Sequence, residues 1–174
     1  FRPVFTMKTL HLIRHSRTIG NDRGLYYGWS DIPLSEEGIA VIKNNLGTMR
    51  YPDAGGLRII TSGRLRAEQT LELIYGRFEH ITEPRFREMN FGSFEMRSHE
   101  ELKELPEYIE WKKRDFMVSV VPGGECGNDV KRRVIEAMDE LYDGDDTLIV
   151  CHGGTILILI DCLFPGVYDR MHEW

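Results

Sequence analysis

The residues Leu12 to Asn21, LIRHSRTIGN, run an apolar segment straight into Arg14, His15 and Arg17. Two fixed cations around an imidazole repel one another unless an anion sits among them. A phosphate suits the set. It spreads negative charge over its oxygens, guanidinium forks donate to those oxygens in parallel, and a neutral imidazole nitrogen can attack phosphorus. His15 is therefore the candidate nucleophile, and its second ring nitrogen needs a carbonyl acceptor to hold the reactive tautomer. Other polar residues stand at comparable places farther along. Ser62 and Arg66 follow the apolar run in LRIITSGRLR, and His152, Gly153 and Gly154 follow the one in TLIVCHGG. Asn21 adds an amide donor, and His152, if protonated, a further cation.

The segments that carry these residues alternate in pattern. TLHLIRH is nearly all apolar, the mark of a strand buried on both faces, which makes His11 a core residue. In SEEGIAVIKNNLGTM, Ile39, Ile42, Leu46 and Met49 recur at helical spacing behind Ser35 as N-cap, with Glu36 and Glu37 at the positive helix end. LRIITS predicts a second strand and RLRAEQTLELIYG a helix that stops at Gly76. DDTLIVCHGG and the apolar TILILIDCLF, closed by Pro165, repeat the pair. Strands alternating with helices predict an α/β fold with a largely parallel sheet, in which ligands collect where strands end and helices begin. Arg14, His15, Ser62, Arg66 and His152 should converge there. The stretch HEELKELPEYIEWKKRDF has no strand pattern and predicts a helical insertion over about 95–121, broken at Pro106. Tyr108 and Trp111 are expected to pack it onto the body.

Size and charge narrow the classes. A chain of 174 residues is expected to form one domain over 7–174, with Met7 as the start and residues 1–6 a tail. The net charge of -6, with no basic stripe, argues against a general nucleic-acid binder. TILILIDCLF is too short for a membrane span and carries Asp161. Cys126, Cys151 and Cys162 fit neither a disulfide framework nor a metal site, so a reducing cytoplasm is the expected setting. The histidines lack metal-ligand spacing, and no metal or cofactor is expected.

Six motifs in order, LIRHSRTIGN, YGWSDIPLSEEG, TSGRLRAEQT, REMNFGSFE, PGGE and IVCHGG, resemble those of the histidine phosphatase superfamily, also called phosphoglycerate mutase-like. The match runs from Leu10 to about Phe164. The resemblance implies a three-layer α/β/α sandwich with a mostly parallel central sheet, substrate bound at its carboxyl edge under the helical insertion. It implies that His15 is the phosphorylated nucleophile and that Arg14, Arg66 and His152 hold the phosphate. Asn21 resembles a further phosphate contact, and Glu88 the acid that protonates the leaving oxygen. Gly153 joins Asn21 among the expected substrate contacts.

Four positions depart from the family pattern. Ser16 stands where glycine is usual and Arg17 where glutamate is common, which makes both candidate specificity residues; Arg17 lies either in the pocket or on the surface. Met96 replaces a frequent glycine and Cys126 a frequent serine. The leading reading is a metal-independent phosphomonoesterase acting on a small phosphorylated metabolite through a phosphohistidine. YGWSDIPLSEEG, PEYIEW and PGGE resemble the branch with α-ribazole phosphatases and broad-specificity phosphatases. A phosphoglycerate mutase is the alternative, disfavoured by the compact stretch from Glu88 to Gly123. A non-catalytic phospho-ligand-binding protein would be expected to have lost His15 or Glu88. The sequence leaves the substrate and the oligomeric state open.

Overall fold

A computed structural model of the chain describes residues 9–48, 51–141 and 144–166. The expected tail at 1–6, the start at Met7, the helical position Met49 and the end at Trp174 lie outside the described residues. In chain order the elements are β1 (Leu10–Arg14), α1 (Ile19–Asp22), β2 (Leu25–Tyr26), α2 (Glu36–Asn45), β3 (Arg58–Thr61), α3 (Leu65–Tyr75), β4 (Ile81–Thr82), β5 (Arg97–Ser98), α4 (His99–Leu102), α5 (Pro106–Lys113), α6 (Gly127–Leu141), β6 (Thr147–Cys151) and α7 (Gly153–Leu163).

The central sheet has the order β1-β6-β3-β4 with every pair parallel. Parallel neighbours need long crossovers, and α2, α3, α6 and the insertion supply them. All residues of β6 are buried because both faces are covered. Ile149 and Cys151 face one core with Val130 and Val134 of α6 and Ile158 and Leu159 of α7. Leu148 and Val150 face the other with Ala67 and Leu71 of α3. The molecule is thus an α/β/α sandwich.

Local signals account for the helix ends. Ser35 accepts from Gly38 N–H as the N-cap of α2, and Gly76, at φ 80°, closes α3 in a conformation that a side chain would resist. Two expectations need correction. The strand β1 is half-buried, not buried on both faces, because among the described residues only β6 lies beside it; His11 is half-buried with it. The insertion also contains a strand, for Arg97 and Ser98 pair antiparallel with Leu25 and Tyr26. Tyr108 and Trp111 pack as expected. Tyr108 is buried against Phe94 and its hydroxyl meets that of Tyr26 at 2.7 Å, while the Trp111 indole donates to Ser119 O. No helix of the described residues is long and apolar enough to cross a membrane.

Candidate active site

Register brings the chemistry together. His15, Ser62 and His152 each follow directly the last residue of a parallel strand, and Arg14 pairs with Cys151 while Thr61 pairs with Val150. Their side chains leave the carboxyl edge of the sheet side by side. The rings of His15 and His152 are 5.1 Å apart, centroid to centroid.

His15 is buried, and its Nδ1 lies 2.7 Å from Ser16 O. Because a carbonyl can only accept, Nδ1 carries the proton and donates, leaving the Nε2 lone pair free. Burial, aided by the charges of Arg66 and Arg14 and opposed by the Ser16 hydrogen bond, pushes the His15 pKa down to about 3. The ring is neutral at physiological pH, as a nucleophile must be.

His152 has no exposed surface, and its Nε2 meets Ser62 Oγ at 2.8 Å while Nδ1 is buried without a partner. Burial lowers its pKa, and the charges of Arg66, His15, Arg64 and Arg133 add to that. The structure therefore corrects the expectation of a cation here: unliganded His152 is neutral. If the Ser62 hydroxyl donates to Nε2, Nδ1 carries the remaining proton and is a ready donor. Ser62 is the partner of Nε2 here, a contact that its place in TSGRLRAEQT does not disclose.

Arg66 has no exposed surface either. Its Nη1 and Nη2 donate to Ser30 O at 2.9 Å and Gly28 O at 2.7 Å, and its guanidinium stands 5.0 Å from the Tyr27 ring centroid. Burial holds its pKa below the usual arginine value. The loop that it grips is fixed from the other side by Glu95, whose carboxylate accepts from the N–H groups of Gly28, Trp29, Ser30 and Phe91 and from Ser30 Oγ. Burial opposes ionisation of Glu95, but these hydrogen bonds outweigh it and hold its pKa below the ordinary carboxylate value. Sequence reasoning found Glu95 only as a motif position; the clamp depends on contacts across more than sixty residues.

Arg14 lies against Gly153, where an added Cβ would sit 3.4 Å from its Nε. Glu88 is held by Met89 N–H at 3.0 Å and by Gly154 N–H at 2.9 Å, and a Cβ on Gly154 would collide with its carboxylate. Asn21 Oδ1 accepts from Thr18 N–H and Tyr27 Oη, so its amide nitrogen remains a donor. Arg14, His15, Asn21, Tyr27, Glu88 and Gly154 line one cavity of about 240 Å³. A larger cavity, of about 430 Å³, lies between β1, α2 and α3 and is lined mainly by apolar residues such as Val41 and Ile74, without His15 or Glu88.

The departures from the family pattern acquire physical content. Ser16 donates its hydroxyl to Gly38 O at 2.9 Å, which ties it to α2. Arg17 sits at the rim, half-exposed, and its fork is taken by Asp22 Oδ1 at 2.6 and 3.0 Å with Glu37 nearby. With Arg14, His15, Ser16 and Asn21 it also lines a cavity of about 380 Å³, so this ion pair stands at the mouth of the site. Met96 has φ 59°, a left-handed conformation that explains why glycine suits the position. Cys126 donates its thiol to Asp129 Oδ2 at 3.2 Å at the start of α6.

A buried neutral imidazole with one free nitrogen, beside two arginines and a carboxyl group on a parallel-sheet edge, is an arrangement suited to phosphoryl transfer. The chain belongs to the histidine phosphatase superfamily (branch 1), whose pattern matches residues 10–174. It is 34% identical over 167 residues to a protein of Yersinia pestis named probable phosphoglycerate mutase GpmB, covering 90% of this chain and 75% of the relative. The structure is similar to that of the alpha-ribazole phosphatase from Shigella flexneri, with TM-score 0.80, 30% identity, and 95% and 84% of the two chains covered. It is also similar to a phosphoglycerate mutase from Thermus thermophilus, with TM-score 0.69, 29% identity, and 89% and 84% covered.

Proposed function

We propose that the protein is a metal-independent phosphomonoesterase that hydrolyses a small phosphorylated metabolite through a phosphohistidine at His15. One observation carries the reading: Nδ1 of a buried, neutral His15 donates to Ser16 O, which leaves Nε2 as a nucleophile among cationic groups. Arg14, Arg66, the Asn21 amide and His152 Nδ1–H bind the phosphoryl oxygens. Nε2 attacks phosphorus and the ester oxygen departs, taking the proton of a protonated Glu88. Water then attacks the phosphohistidine and yields its proton to the Glu88 carboxylate, and Nε2 leaves with its electron pair as a neutral ring. Each role falls to a side chain of this protein.

A second reading, phosphoglycerate mutase, is favoured by the likeness to the Yersinia protein. It uses the same residues but returns the phosphoryl group to an acceptor hydroxyl. The short insertion, with α4 and α5 as its only helices among the described residues, favours water as the acceptor. The test is an assay of a panel of phosphorylated metabolites for released phosphate in EDTA, with mutase activity on 3-phosphoglycerate followed in parallel. Phosphate release that survives EDTA supports the proposal. Isomerisation with negligible phosphate release would replace it with the mutase, and inactivity in both assays would leave a binding protein.

A further inference from the structure

Three arginines surround the Tyr27–Ser30 loop, and the chemistry above uses one. Arg66 grips the loop from inside. Arg64 and Arg87 place their guanidinium carbons 6.0 and 5.8 Å from the centroid of the Trp29 ring. Neither donates a side-chain hydrogen bond or joins an ion pair among the described residues, and the Nε atom of each is buried without a partner.

Such a pair is costly as it stands. Both guanidinium groups have lost part of their hydration, and each repels the other. Burial first, and then the charge of Arg87, lowers the pKa of Arg64 against the pull of Asp31 and Glu95. Those two carboxylates have other work. Asp31 Oδ1 accepts from Leu65 N–H at 2.8 Å, and Glu95 clamps the loop. Attraction of each cation to the Trp29 π-face recovers part of the cost, but it gives no reason for gathering two cations at one ring.

Position supplies the reason. Arg64 is two residues beyond Ser62, and Arg87 directly precedes Glu88, so both stand on segments that carry the chemistry. The charge of Arg64 reaches His152. Trp29 is 41% exposed, so the cluster can be approached from solvent. Arg17, the candidate on sequence grounds for a second anionic group, is already paired with Asp22.

We propose that Arg64 and Arg87, sharing Trp29 as a platform on the segments that carry Ser62 and Glu88, form a second anion subsite, which takes the distal phosphate or carboxylate of a bis-anionic phosphomonoester. The assignment rests on the phosphomonoesterase reading and names its substrate class. Two guanidinium forks can meet such a group through parallel hydrogen bonds, and an anion bound there removes the repulsion between them.

The test compares wild type with Arg64→Met and Arg87→Met, which keep the aliphatic stems, on three substrates: a sugar bisphosphate, 3-phosphoglycerate and p-nitrophenyl phosphate. Each variant should lose at least about tenfold in kcat/KM, mainly through KM, on the bisphosphate, the phosphoglycerate or both, and less than about threefold on the nitrophenyl ester. Which of the first two responds tells a distal phosphate from a carboxylate. Calorimetric titration of the same sugar bisphosphate and of inorganic phosphate keeps the subsite testable apart from turnover. The bisphosphate should bind more weakly to each variant while inorganic phosphate binds unchanged. If turnover fails but this binding difference holds, the hydrolytic reading falls and the subsite stands. Equal losses on all ligands, or a wild type with no preference for a second anion, would overturn it.

Discussion

The carbonyl of Ser16 fixes the tautomer of His15, whereas the hydroxyl of Ser62, which can donate or accept, gives His152 Nε2 its partner. In the proposed mechanism the two histidines have separate jobs: one offers a lone pair and the other a proton. Glu88 completes the set, held by the N–H groups of Met89 and Gly154. Its assigned role has a sharp consequence. An alkoxide cannot leave without a proton, whereas nitrophenolate needs little help, so Glu88→Gln should slow phosphoenzyme formation from an alkyl phosphate by about 10²–10⁴-fold. With p-nitrophenyl phosphate the variant should remain near wild type in the same single-turnover measurement. Equal slowing of both substrates would mean that Glu88 acts through charge or structure. Arg14, His15, Arg66 and His152 were legible because strand-ending motifs announce them. Ser62's orienting bond and the Glu95 clamp were not, since a polar residue's partner depends on chain that is distant in sequence and near in space.

Elements were legible where the pattern was long. The helices α2, α3 and α7 lie where the apolar pattern puts them, with Ser35 opening α2 and Gly76 closing α3, and the strands β1, β3 and β6 sit within the apolar runs. The two-residue strands β2, β4 and β5 escaped notice because two residues show no period, and pairing across the sheet edge decides them. The helix α6, the longest among the described residues, gives a weak sequence signal: its apolar positions Val130, Val134 and Ala137 lie on one face, with charged residues elsewhere hiding them from composition. The β5 segment carries a testable cost. Met96, immediately before it, holds φ 59° while donating its N–H to Tyr26 O at 2.7 Å. A side chain in that region is strained, while Met96, 36% exposed, also buries part of its surface, a contact that truncation gives up. Met96→Gly should raise the unfolding free energy by about 0.5–1 kcal/mol in urea titration, net of glycine's greater chain entropy. A variant less stable than wild type would show that packing by the Met96 side chain outweighs its backbone strain.

At the scale of the whole molecule, the fold keeps the two histidines of the site neutral among charged groups, and stability must reflect that. The unfolded chain protonates His15 below its ordinary value of 6.5, while the folded protein resists protonation down to about 3. The unfolded state therefore binds more protons between those values, and stability is full above the upper one and falls as pH drops through the window. His152 shifts in the same direction. Each such group contributes up to about 1.4 kcal/mol per pH unit inside the window. Between pH 7 and pH 4.5, His15→Gln should lose roughly 2 kcal/mol less stability than wild type in urea unfolding. An identical loss in both proteins would mean that His15 is not held neutral by burial.

The central claim is a covalent bond between His15 Nε2 and phosphorus, and trapping it tests the account most directly. Enzyme mixed with a ³²P-labelled substrate, quenched in alkali within the first turnover and digested, should carry the label on the peptide containing His15. The label should survive base, be lost in acid, and be absent from His15→Ala, which should also lose turnover. Label on a serine, or full turnover in the alanine variant, would contradict the account.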